Sequence, residues 1–238
     1  MTAATYNTAW GGVRFVVPAY FHPQDDPAGW HALRALGPRL AAAIMNPDSG
    51  PGAAADPRYH PPVEAVLEAG GRVVGYVDTG YGRRRPGDVL RDVIAYRDWY
   101  GLTGVFLDQA ASGSGQLGYY RQLAQAARAV GMRFVALNPG VVPDHGYAEI
   151  ADLLVTFEGP WSAYRGHRAA AWMLDRPAER FCNLVHGAPP DGLDATALDA
   201  PARHAGAVYA TELTGANPWG RLCSALRADP AGRSGAAG

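Results

Sequence analysis

The sequence predicts an α/β fold, a (β/α)8 TIM barrel in one compact domain with short rim loops. Three observations carry the prediction: eight short apolar runs, a near-constant spacing between them, and segments of helical period in the gaps. The runs begin at residues 13, 41, 72, 104, 133, 153, 181 and 207, so successive starts lie 28, 31, 32, 29, 20, 28 and 26 residues apart. Eight units of about 30 residues fit the ~250-residue size usual for such a barrel, and the chain has 238 residues. An open doubly wound sheet is the alternative, but no Gly-rich turn follows the first run.

Each element has its own signal. Residues 13–18 (VRFVVP), 41–46 (AAAIMN), 72–78 (RVVGYVD) and 104–108 (GVFLD) lack in–out alternation, which marks parallel strands covered on both faces. Residues 88–100 put Val89, Val93 and Tyr96 on one helical face, with Asp88 as the expected cap after Pro86 and Gly87. Residues 116–130 form the next helix, stopped by Gly131. Strands at 133–138 (RFVALN) and 153–158 (LLVTFE) follow closely, and 143–151 between them hold little more than two turns. Strands at 181–186 (FCNLVH) and 207–212 (AVYATE), with weaker helices at 194–205 and 218–227, complete the series. The barrel therefore occupies 13–227, with a flexible N-terminus at 1–12 and a disordered tail at 228–238.

Composition narrows the function. Lys and Arg number 21 against 22 for Asp and Glu, and without a basic excess the chain has no field for a nucleic-acid backbone. No apolar run reaches 18 residues, so no membrane span is expected. The start, MTAATYNTAWGG, has neither a basic nor an apolar leader region, which points either to a cytoplasmic protein or to a leader that this sequence does not include. Cys182 and Cys223 are far apart and read as reduced core thiols. No metal or organic cofactor is called for, and GxSxG, GxGxxG, Walker and HExxH motifs are absent.

Active sites of these barrels form at the C-terminal strand ends. Those ends carry Asn46, Asp78, Asp108, Asn138, Glu158, His186 and Glu212, with Tyr20 and His22 just after the first run. Asp108 and Glu158 close the most apolar strands, and Trp161 follows Glu158 by three residues. A carboxyl pair in a partly desolvated, aromatic-lined cleft is the equipment of glycoside hydrolysis. Asp78 either orients a sugar hydroxyl or caps its Gly-rich turn. Tyr20, Tyr76, Tyr81, Trp161 and Trp219 offer rings for stacking on sugar faces, although each alone reads more often as packing. Arg83, Arg84 and Arg85 form a short cationic run, read first as a solvated rim loop.

Seven motifs then fall in order: NPDSGPG at 46–52, GYVDTGYG at 75–82, GVFLDQ at 104–109, NPG at 138–140, ADLLVTFE at 151–158, LVHG at 184–187 and NPW at 217–219. Together they resemble the spherulin-4 (spherulation-specific family 4) proteins over most of the chain. The resemblance implies a (β/α)8 barrel related to glycoside hydrolases that cut α-1,4-linked galactosamine or N-acetylgalactosamine polymers. It assigns Asp108 as nucleophile and Glu158 as acid/base, in a retaining mechanism. It leaves Tyr20, His22, Asn46, Asp78, Tyr81, Gln109, Asn138, Trp161, His186 and Glu212 to bind a small-molecule or oligosaccharide substrate. The family's strand-four motif ends in Asp-Glu, whereas Gln109 stands at the second position here. Members are often secreted, a second difference. Two rivals follow: a sugar-binding barrel that lost catalysis at Gln109, and an intracellular enzyme of small-molecule metabolism using the same rim.

Overall fold

The computed structural model describes residues 12–228. Eight parallel strands close into a barrel in chain order: β1 Arg14–Ala19, β2 Leu40–Met45, β3 Val73–Asp78, β4 Gly104–Asp108, β5 Phe134–Leu137, β6 Leu153–Pro160, β7 Phe181–His186 and β8 Ala207–Ala210. The register steps through every neighbour and returns from β8 to β1 through Arg14↔Ala207 and Phe15↔Val208. Irregularities interrupt it between Phe15 and Val16 and between Val155 and Phe157. All six residues of β2 are buried, as both-face coverage requires. The predicted flexible N-terminus and disordered tail fall almost wholly outside the described residues.

The outer layer is uneven. Helices α1 Pro27–Ala35, α2 His60–Glu68, α3 Pro86–Tyr100 and α4 Leu117–Ala129 cover the first half. After β5 there is only a 3-10 segment, His145–Glu149, matching the short gap in the sequence. A four-residue α5, Trp161–Tyr164, follows β6, and α6 Gly192–Asp199 and α7 Ser224–Ala228 finish the ring. Three predicted details are corrected. Helix α3 starts at Pro86 with Arg85 as its cap, because proline pre-sets the first helical φ; Asp88 lies in the first turn. The expected helix 194–205 is shorter and gives way to a 3-10 turn at Pro201–Arg203, where proline interrupts it. The last helix begins six residues later than 218, since Pro218 and Gly220 lie in a turn. Cys182 and Cys223 are free and buried. Among the described residues no helix is long and apolar enough to cross a membrane.

Candidate active site

The C-terminal strand ends floor a cleft with two lobes. The larger, about 650 Å³, is lined by Tyr20 after β1, Asn46 to Ser49 after β2, and Asn217 to Trp219 after β8. The smaller, about 340 Å³, is lined by Tyr81, Asp108, Gln109, Asn138 and Pro139 to Gly140. Glu158 and His186 border both lobes and so join them. Lys and Arg are missing from both linings.

Asn138 organises the floor. It follows β5 directly and is only 5 % exposed. Its Nδ2 donates to Asp108 Oδ1 at 2.7 Å and also to Glu158 Oε2. Its Oδ1 accepts the Gly140 N–H at 3.0 Å, which fixes the amide's orientation. One side-chain amide therefore bridges the two carboxyls at the ends of β4 and β6. The Tyr76 hydroxyl near Asp108 and the Trp219 indole near Glu158 each favour the charged form of the carboxyl they face.

Burial is the main influence on both acids. It raises the pKa of Asp108, against the Tyr76, Gln109 backbone N–H and Asn138 hydrogen bonds, while the Asp78 charge adds to the rise. Burial likewise raises that of Glu158, opposed by Asn138 and Trp219 and reinforced by the Asp108 charge. The same two charges and deep burial push the Tyr20 hydroxyl well up, so it remains a neutral donor. Burial lowers the pKa of His186, favouring a neutral imidazole, which meets the edge of Trp219 at 6.1 Å between centroids.

Gln109 and Tyr81 are held in left-handed backbone conformations, φ 46° and 58°, uncommon for residues with a Cβ. They are joined by a hydrogen bond from Tyr81 N–H to the Gln109 carbonyl at 2.7 Å. Strain of this kind concentrates at functional sites, where surrounding structure enforces it.

Eight of the predicted site residues line the cleft: Tyr20, Asn46, Tyr81, Asp108, Gln109, Asn138, Glu158 and His186. Four do not. Asp78 turns back to accept the Gly80 N–H at 2.6 Å, closing its own turn. His22 is tied to Asp56, its Nε2 at 3.0 Å from Oδ2. Trp161 opens α5 and packs against Tyr164, 6.0 Å between centroids, because β6 runs on to Pro160 before the chain turns. Glu212 lies beyond the end of β8, which stops at Ala210, and accepts the Ser224 N–H at 3.1 Å. The ring on Glu158 is thus Trp219, not Trp161. Tyr76 and Trp219, weighed from the sequence as stacking rings or packing, are the neighbours that favour the carboxyls' charged forms. For Tyr76 a signal existed, since it shares its strand face with Asp78 two residues on.

The closed parallel barrel presents two desolvated, amide-bridged carboxyls at its C-terminal rim, the end at which (β/α)8 enzymes build their active sites. The chain belongs to the spherulation-specific family 4, whose model matches residues 14–228. It is 34 % identical to spherulin-4 of Physarum polycephalum over 172 residues, 70 % of this chain and 50 % of that protein, so it spans about half the length of that relative. Among solved structures it is similar to Sph3 of Aspergillus clavatus in complex with GalNAc, at TM-score 0.77 and 25 % identity, covering 92 % of this chain and 96 % of that one. A fungal endo-β-N-acetylglucosaminidase of glycosyl hydrolase family 18 shares the fold alone, at TM-score 0.50 and 14 % identity over 87 % of this chain and 94 % of that one.

Proposed function

We propose that the protein is a retaining glycoside hydrolase acting on an N-acetylgalactosamine-type glycoside, with Asp108 as nucleophile and Glu158 as acid/base. The observation that carries this reading is the Asn138 bridge. Two oxygens that share one donor nitrogen lie within about 6 Å of each other. A separation under that bound supports the close carboxyl spacing of retaining enzymes, about 5–5.5 Å, over the about 6.5–9.5 Å of inverting ones. The family, and its GalNAc-bound structural neighbour, support the sugar class.

The chemistry follows from the two environments. Ionised Asp108 attacks the anomeric carbon as the glycosidic C–O bond breaks, and protonated Glu158 gives its proton to the departing oxygen. A water then enters, Glu158 takes its proton, and the hydroxide displaces Asp108 from the glycosyl ester. Burial first, and then the Asp108 charge, favour the protonated form of Glu158 for the first step, while Asn138, Tyr76 and the Gln109 N–H favour the ionised nucleophile. Tyr20, Asn46, Tyr81, Gln109 and His186 bind hydroxyl and acetamido groups in the lobes.

NMR of the first-formed product from N-acetylgalactosamine oligomers tests the proposal. Retained anomeric configuration is expected, and net inversion would remove Asp108 from its role. Gln109 favours a second reading, a sugar-binding barrel without turnover; binding of the oligomers with no product from any glycoside would establish it.

A further inference from the structure

The cleft is lined by three carboxyls, Asp48, Asp108 and Glu158, and by no Lys or Arg, so an anionic group on a ligand is repelled there. One edge of the smaller lobe is different. Tyr81 lines that lobe yet is 51 % exposed, and the Arg83 guanidinium lies over its ring at 5.6 Å. The three consecutive arginines are sorted by structure. Arg84 is committed, donating to the Asp78 carbonyl at 2.7 Å and to Asp92 Oδ2 at 2.7 Å. Arg83 and Arg85 are exposed and have no carboxylate partner among the described residues.

The loop that presents them is tied down by hydrogen bonds. Gly80 N–H bonds Asp78, Tyr81 N–H bonds the Gln109 carbonyl, Arg83 N–H bonds the Gly80 carbonyl at 3.1 Å, and the Tyr119 hydroxyl donates to the Arg84 carbonyl at 2.9 Å. A half-exposed ring in a strained left-handed conformation at a cleft mouth is not explained by packing. Held under a guanidinium, it makes a platform with one apolar face and one forked cationic donor. The chain contains no lysine, so every side-chain cation it can offer a ligand at neutral pH, histidine aside, is a guanidinium, the group suited to two-pronged binding of carboxylate or sulfate.

We infer that Tyr81 and Arg83 form an outer subsite for a sugar unit bearing an anionic group, a carboxylate or a sulfate ester, next to the sugar held over Asp108 and Glu158. The inference rests on the glycosidase reading for the inner sugar but is tested by binding. The ligands are a uronate–N-acetylgalactosamine disaccharide, its carboxyl-reduced counterpart and a sulfated counterpart, titrated calorimetrically into the full chain. The wild type should bind the anionic ligand about three- to tenfold tighter than the neutral one, and added salt should shrink the difference. Arg83→Gln should erase the preference, whereas Arg121→Gln, which removes the same charge from α4, should keep it. Tyr81→Asn, which tolerates the left-handed backbone, should weaken both ligands. Preference for the uronate alone or the sulfate alone identifies the anion's source. Equal affinities, a preference that survives Arg83→Gln, or no binding of either ligand would overturn the inference. A preference found without hydrolysis of any glycoside would sink only the catalytic proposal.

Discussion

Asn138 donates to Asp108 and Glu158 at once, so removing it should be felt by both acids. Asn138→Ala deletes a hydrogen bond that lowers each pKa, and both should rise. Because Asp108 must be ionised to attack, the acidic limb of the kcat/KM profile should then move to higher pH, with turnover down about 10–100-fold. An unmoved limb would separate Asn138 from the pair. Asp108→Asn and Glu158→Gln should each lower turnover by about 10²–10⁴-fold. Their stability should move the other way. Both carboxyls have folded pKa values above their ordinary 3.8 and 4.5, so folding favours the protonated form. That contribution is complete below about pH 4 and is lost as pH rises through the folded values. At pH 7 the charged acids therefore cost stability, and both amide variants should melt no lower than wild type, with the gap closing on acidification. A variant that melts well below wild type at pH 7 would contradict this. Gln109→Glu places a second carboxylate beside Asp108, which should raise its pKa and shift the acidic limb upward. It should also improve hydrolysis of free-amine over acetylated substrates; unchanged selectivity would mean that Gln109 does not face the amino group. Most of this site was legible, because acids and amides closing apolar strands have no packing purpose. Trp219 as the partner of Glu158 was not, since it depends on how the segment after β8 folds back over the rim.

At the scale of elements the strands were legible nearly to the residue, because fully buried parallel strands require unbroken apolar runs. Helix starts were less so: Pro86 outcompeted Asp88 as the start signal of α3. What the sequence could not reveal is which residues let the two layers approach. Gly75 in β3 faces the ring of Tyr96 from α3, and any Cβ there would stand inside van der Waals contact with that ring. Tyr96 cannot swing away, since it is fully buried and its hydroxyl donates to the Met45 carbonyl at 3.1 Å. Gly75→Ala should therefore destabilise the fold by about 1–3 kcal/mol, as over-packing a close-packed interior does. Denaturant unfolding measures it, and a neutral result would mean that α3 shifts freely on the barrel. Since β3 also carries Tyr76, which holds Asp108, the same variant should lower activity beyond its loss of stability.

For the whole molecule, closure depends on a thin seam. β1 and β8 share two register pairs, as few as β5 and β6, against six between β6 and β7. The short α7 compensates by tying the segment after β8 to the start of α1. Cys223 N–H reaches the Tyr209 hydroxyl of β8 at 2.9 Å, and Ser224 N–H reaches Glu212. At the other end Arg227 pairs with Asp26, whose carboxylate caps α1 by accepting the Gly29 N–H at 2.8 Å. Between these ties Leu226 is fully buried in the core. A five-residue helix has little stability of its own, so this strap is held by its contacts rather than by helix propensity. Leu226→Ala should thus cost about 2–5 kcal/mol through lost burial and the cavity left behind. The loss should also be directional: amides of β1 and β8 should exchange with solvent by a local opening well before those of β6 and β7. Hydrogen exchange on the variant distinguishes this from uniform weakening, since equal acceleration in all eight strands would show that the barrel opens as one unit and that α7 is not its clasp. The larger lobe takes Tyr20 from the β1 side of the seam and Trp219 from the β8 side. Opening there should therefore weaken ligand binding in that lobe before the Asp108 side of the cleft is disturbed.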